Sequence, residues 1–68
     1  MVNTNGLRSL IYGNYKSQSA FADRIGWSRQ KVANIIYGRQ EPTVTEVNIM
    51  AVALHKSVGE MAEFFLPN

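Results

Sequence analysis

Helix-start and helix-stop residues recur so closely along this chain that it is limited to short helices joined by tight turns. Ser17 and Ser28 each stand where a side-chain oxygen can accept from the free N–H groups of a helix's first turn. Thr43 with Glu46, and Ser57 with Glu60, have the spacing of a capping box, in which hydroxyl and carboxylate satisfy each other's backbone N–H groups. Gly26 and Gly38 come after apolar runs, and glycine takes the left-handed conformation that ends a helix at little steric cost.

Between these marks the apolar residues recur at helical spacing. A first helix is expected from about Asn5 to Tyr12, burying Leu7, Leu10 and Ile11 and stopped by Gly13 and Asn14. A second runs from Ser17 to about Ile25 with Phe21, Ala22 and Ile25 inward, and a third from Ser28 to Tyr37 with Val32, Ile35 and Ile36 on one side. A fourth opens at Thr43 with Val44, Val47, Met50, Ala53 and Leu54 as its stripe. A short fifth carries Val58, Met61, Phe64 and Phe65 and ends at Pro67. Alternating, strand-like patterning is nearly absent, so the expectation is an all-α domain of five helices spanning residues 1–68.

At 68 residues there is room for one small core. No apolar run approaches the roughly 20 residues that span a bilayer, and the start MVNTNGLRSL lacks a secretory signal. Cysteine is absent, so disulfides and thiolate metal sites are excluded, and a soluble cytoplasmic protein is expected. Charge divides along the chain. Residues 1–40 hold Arg8, Lys16, Arg24, Arg29, Lys31 and Arg39 against Asp23 alone, whereas residues 41–68 hold Lys56 against Glu41, Glu46, Glu60 and Glu63. A basic half on so small a domain suits an anionic partner, nucleic acid above all.

Two consecutive short helices in that basic half invite comparison with a helix-turn-helix. Such a pair needs a small residue where the helices cross, a turn residue tolerant of positive φ, and apolar residues locking the second helix to the first. Ala22, Gly26, Val32 and Ile35 meet those needs in order. The stretch QSAFADRIGWSRQKVANIIYG, residues 18–38, with the helix-turn-helix at about 17–37, resembles that of the phage repressor and Cro family, the XRE-like transcriptional regulators. The course of YGRQEPTVTEVNIMAVALHKSVGEM extends that resemblance over about residues 7–64. It implies a five-helix lambda-repressor-like DNA-binding domain. Two residues depart from the family pattern: His55 stands where a glycine is common, and Ile36 where an acidic residue is common.

A polar face on a short helix is, by itself, only solvated surface; the turn, the charge division and the downstream course change that reading. The resemblance implies that the third helix lies in the major groove of double-stranded DNA with its first turns nearest the bases. Arg29, Gln30, Ala33 and Asn34 are then the base readers: Arg pairs with guanine, Gln and Asn with adenine, and the Ala33 methyl touches thymine. The phosphate contacts are Gln18, at the start of the second helix, with Ser28, Lys31, Tyr37 and Arg39, and Arg8 or Lys16 as possible additions. Trp27 is assigned to packing, and His55 to an exposed turn.

Phe64, Phe65 and Leu66 cannot all face inward from one short helix, so one is expected at a dimer or partner surface. Family members dimerise so that two recognition helices meet half-sites about 34 Å apart. The function expected is a sequence-specific regulator, a repressor, bound to a DNA operator as a homodimer. The alternative is an antitoxin or adaptor whose apolar C-terminal end binds a protein, with DNA binding for autoregulation. Enzymatic, cofactor or metal chemistry is not expected: there is one histidine and no cysteine, and neither paired carboxylates nor a glycine-rich phosphate loop is present.

Overall fold

The computed structural model describes residues 4–65. Among these the elements are α1 (Thr4–Asn14), α2 (Gln18–Ile25), α3 (Arg29–Ile36), α4 (Val44–Ala53) and α5 (Val58–Glu63), with no strand. The expected all-α, five-helix arrangement is present. Each start from α2 onward is capped as its hydroxyl residue predicts. Ser17 Oγ accepts from the Ala20 N–H at 3.0 Å and Ser28 Oγ from the Lys31 N–H at 3.1 Å. Thr43 with Glu46, and Ser57 with Glu60, close complete capping boxes at 2.9–3.1 Å.

Three helices end in one hydrogen-bond pattern. The N–H of Gly26 donates to the Asp23 carbonyl and that of Trp27 to the Ala22 carbonyl; Gly38 and Arg39 bond in the same way to Ile35 and Asn34. His55 and Lys56 repeat it with Val52 and Ala51. This is the paired bonding of a Schellman motif, which requires a left-handed residue just past the helix. Gly26 and Gly38 supply it at φ 77°, and His55 at φ 59° is the one non-glycine residue among those described to do so. A side chain in that conformation costs about 1–2 kcal/mol. His55→Gly is therefore expected to stabilise the domain by about 1 kcal/mol and to raise the thermal midpoint by about 4–8 °C. A thermal unfolding curve unchanged or lowered by the substitution would count against strain at this turn.

The core draws on every helix: Leu7 and Ile11 from α1, Phe21 and Ala22 from α2, Val32, Ile35 and Ile36 from α3, Val47, Met50, Ala51 and the C-cap Leu54 from α4, and Met61 from α5. Leu10, Ile25, Ala53, Phe64 and Phe65 are half-buried against it. Ile36, the departure from the acidic pattern, is wholly enclosed.

The structure corrects three expectations. Gly13 does not stop α1, which continues to Asn14; the Tyr15 N–H still donates to the Ile11 carbonyl, and Asn14 Nδ2 bonds the Leu10 carbonyl at 2.9 Å. Val44 is 81% exposed rather than part of the α4 stripe, because it starts the helix on the side turned from the core, and Ala51 is buried instead. Val58 likewise begins α5 facing outward. Pro67 and Leu66 lie outside the described residues.

Candidate nucleic-acid interface

The α2–α3 pair is held by the residues its spacing singles out. Ala22, Val32 and Ile35 are buried, so the two helices approach closely and α3 cannot rotate about its axis without exposing apolar surface. Gly26 makes the intervening turn. Trp27, also in the turn, is half-buried against the core. With Val32, Ile35 and Ile36 turned inward, the rest of α3 offers Arg29 and Gln30 exposed, and Ala33 and Asn34 partly so. The four proposed base readers therefore share the free face.

Two of these readers are bonded to each other and to the loop beyond. Asn34 Oδ1 accepts from Gln30 Nε2 at 2.9 Å and from Arg39 Nε at 3.1 Å. The Asn34 backbone carbonyl accepts the N–H groups of Arg39 at 2.8 Å and Gln40 at 3.1 Å. Asn34 thus ties the loop to the helix through both backbone and side chain. The i, i+4 spacing of Gln30 and Asn34 is compatible with such a bond; the bond from Arg39 carries no local sequence signal.

Cations cluster on aromatic rings around this face. The Tyr37 ring, 44% exposed, has the Arg8 guanidinium 5.7 Å and the Arg39 guanidinium 5.5 Å from its centre, within cation–π range. Arg8 thereby joins α1 to the end of α3, and its Nε is shielded from solvent with no hydrogen-bond partner among the described residues. Lys31 stands 4.6 Å from the centre of the Trp27 ring and pairs with the Glu46 carboxylate. That pair bridges α3 to the capping box of α4. The Lys31 ammonium, and after it the Thr43 N–H, holds the Glu46 carboxyl below its usual 4.5, and hydrogen bonds within the Ser57 capping box do the same for Glu60.

Lys31, proposed as a phosphate anchor, is accordingly engaged by an intramolecular carboxylate in the free protein. Ser28 is exposed with its oxygen committed to capping, leaving its hydroxyl proton to donate; Gln18 is half-buried at the start of α2. Phe64 and Phe65, proposed for a dimer or partner surface, pack on the core. The large apolar residues most open to solvent on the helices are Val44 and Val52 of α4.

A buried small residue at the crossing, a left-handed glycine in a tight turn and a second helix with its polar side free define a helix-turn-helix, the element that presents one helix to duplex DNA. Comparison with known families agrees: a family model described as helix-turn-helix matches residues 14–61. The chain belongs to that family, the XRE-like helix-turn-helix DNA-binding proteins, and its general role is that of a DNA-binding transcription regulator. Neither the comparison with curated proteins nor that with solved structures returned a match. Among the described residues no helix is long and apolar enough to cross a membrane.

Proposed function

We propose that the protein is a sequence-specific repressor that occupies its operator as a homodimer, with α3 in the major groove. The observation that carries this reading is the fixed outward face of α3, where Arg29, Gln30, Ala33 and Asn34 stand together over a buried α2–α3 contact. A helix about 10–12 Å across fits a groove about 12 Å wide. Arg29 carries donors matched to guanine, Gln30 retains a free carbonyl oxygen and one N–H, and the Ala33 methyl suits thymine. Gln18, Ser28, Tyr37 and Arg39 lie on the flanks and serve the phosphates; Lys31 joins them by exchanging Glu46 for a phosphate oxygen. Two such domains, with half-sites about 34 Å apart, double the number of bases read.

Selection from a random duplex library, with sizing of the complex, tests the proposal. The expected result is one enriched sequence with two-fold symmetry, bound by two chains. Arg29→Ala and Gln30→Ala should each lower affinity by about 1–3 kcal/mol for the selected site while relaxing preference at one base pair. Variants that bind every sequence as the wild type does would remove α3 from base recognition. A single chain on the DNA would favour the second reading, an adaptor or antitoxin, with the outer side of α4 at Val44, Ile49 and Val52 left for a different protein.

A further inference from the structure

The hydrogen bonds on Asn34 bear on how this face discriminates bases. An amide oxygen has two lone pairs, and Asn34 Oδ1 already accepts two bonds, from Gln30 Nε2 and Arg39 Nε. Its acceptor capacity is therefore used within the protein, while the Nδ2 group, with two N–H donors, makes no bond among the described residues. Bidentate pairing with adenine requires an amide to accept from N6 and donate to N7 at once. Asn34 held in this way can only donate.

We infer that Gln30, Asn34 and Arg39 act as one reading unit, in which Arg39 is a positioning residue: its Nε–H locks Asn34 as a donor and so sets which base Asn34 accepts. The inference rests on the reading of α3 as the base-contacting helix. A donor-only Asn34 selects base edges that offer acceptors alone, the N7 and O6 of guanine or the O4 of thymine, and disfavours adenine. Arg39 thereby has two separable effects. Its charge, delivered through the Nη groups, attracts phosphate, and its Nε–H orients a reader.

Two substitutions divide these effects by covalent geometry. In glutamine the amide nitrogen lies the same number of bonds from Cα as arginine Nε, so Arg39→Gln keeps a donor to Asn34 and removes the charge. Lysine has a methylene at that place and its ammonium one bond further, so Arg39→Lys keeps the charge and removes the donor. Library selection by wild type and both variants, with the salt dependence of binding to the wild-type site, provides the test. Arg39→Gln should retain the wild-type preference and lose about one phosphate's worth of salt slope, about 0.9. Arg39→Lys should retain the slope and, at the base pair facing Asn34, turn a preference of about tenfold against adenine into parity or a preference for it. If preference instead tracks the charge, or if both variants select the wild-type sequence, Arg39 is a phosphate anchor only and the positioning role is overturned. A wild type that enriches no sequence would fail the reading of α3 itself and take the unit with it, a result distinct from the other two.

Discussion

Phe21→Ala is expected to abolish cooperative folding near physiological temperature. Phe21 is completely enclosed and meets Tyr15 edge-on, the ring centres 5.2 Å apart and the planes at 64°. Tyr15 in turn donates its hydroxyl proton to the Ala53 carbonyl at 2.8 Å. Removing the Phe21 ring therefore opens a cavity in the core and frees the edge-on partner that links α2 to the end of α4. Truncations of this kind cost about 3–5 kcal/mol. A domain of this size has a total stability of about 3–10 kcal/mol, at about 0.05–0.15 kcal/mol per residue. The loss is thus comparable with everything that holds the fold. Circular dichroism on heating should show the transition gone or its midpoint lowered by more than about 12 °C, with DNA binding lost in parallel. A midpoint within a few degrees of the wild type would show that the core closes over the gap and that Phe21 does not organise it.

The position of α3 was legible in the sequence because it depends on local chemistry. Ser28 can only cap a helix on its C-terminal side, and Gly26 relieves a strain that any side chain in that turn would carry. The glycine and the capping serine together delimit α3, and Val32 and Ile35 then orient it. Both capping boxes were legible for the same reason, since their partners lie three residues apart. Periodicity failed in α4. There Val44, Val47, Ile49, Met50, Ala51, Val52 and Ala53 surround the helix with apolar groups, so spacing alone could not select the side that Val47, Met50 and Ala51 bury. Gly13 misled because a glycine near a helix end is as compatible with continuation as with a stop when the next residue, Asn14, bonds back to the preceding turn.

Contacts between elements were beyond local reasoning. Lys31 and Glu46 lie on different helices, Arg8 lies on α1 and Tyr37 at the far end of α3, and nothing in either neighbourhood signals the other. These unforeseen contacts have one effect in common, which is to reduce the freedom of the charged groups around α3 before DNA arrives. Lys31 is held by a carboxylate and a ring, Arg39 by Asn34 and Tyr37, and Arg8 by the same tyrosine. On the proposed reading, in which these groups meet phosphates, ordering them in the free protein lowers the conformational entropy lost on binding, by about 0.5–1.5 kcal/mol for each long side chain already restrained. For Lys31, the proposed exchange of Glu46 for a phosphate would offset this gain.

Ile36→Asp is expected to destabilise the domain by several kcal/mol at neutral pH, even though an acidic residue is common at this place in the family. Ile36 has no exposed surface and lies in the core cluster with Ile35 and Met61, with no buried polar residue among those described to receive a carboxylate. An unpaired charge in such a place is avoided by taking up a proton, so the folded-state pKa of the aspartate should rise above its unfolded value of about 3.9. The folded state then binds the proton more tightly than the unfolded state does, so stability relative to the wild type is greatest below the unfolded pKa and falls as pH rises through the folded one. Denaturant titrations of both proteins between about pH 4 and pH 7 should show the deficit of Ile36→Asp widening as pH increases, while Ile36→Val loses only about 0.5–1.5 kcal/mol at every pH. A variant as stable as the wild type at neutral pH, with no such widening, would mean that the end of α3 opens to water at Ile36, and that this isoleucine belongs to a surface for a partner instead of to the core.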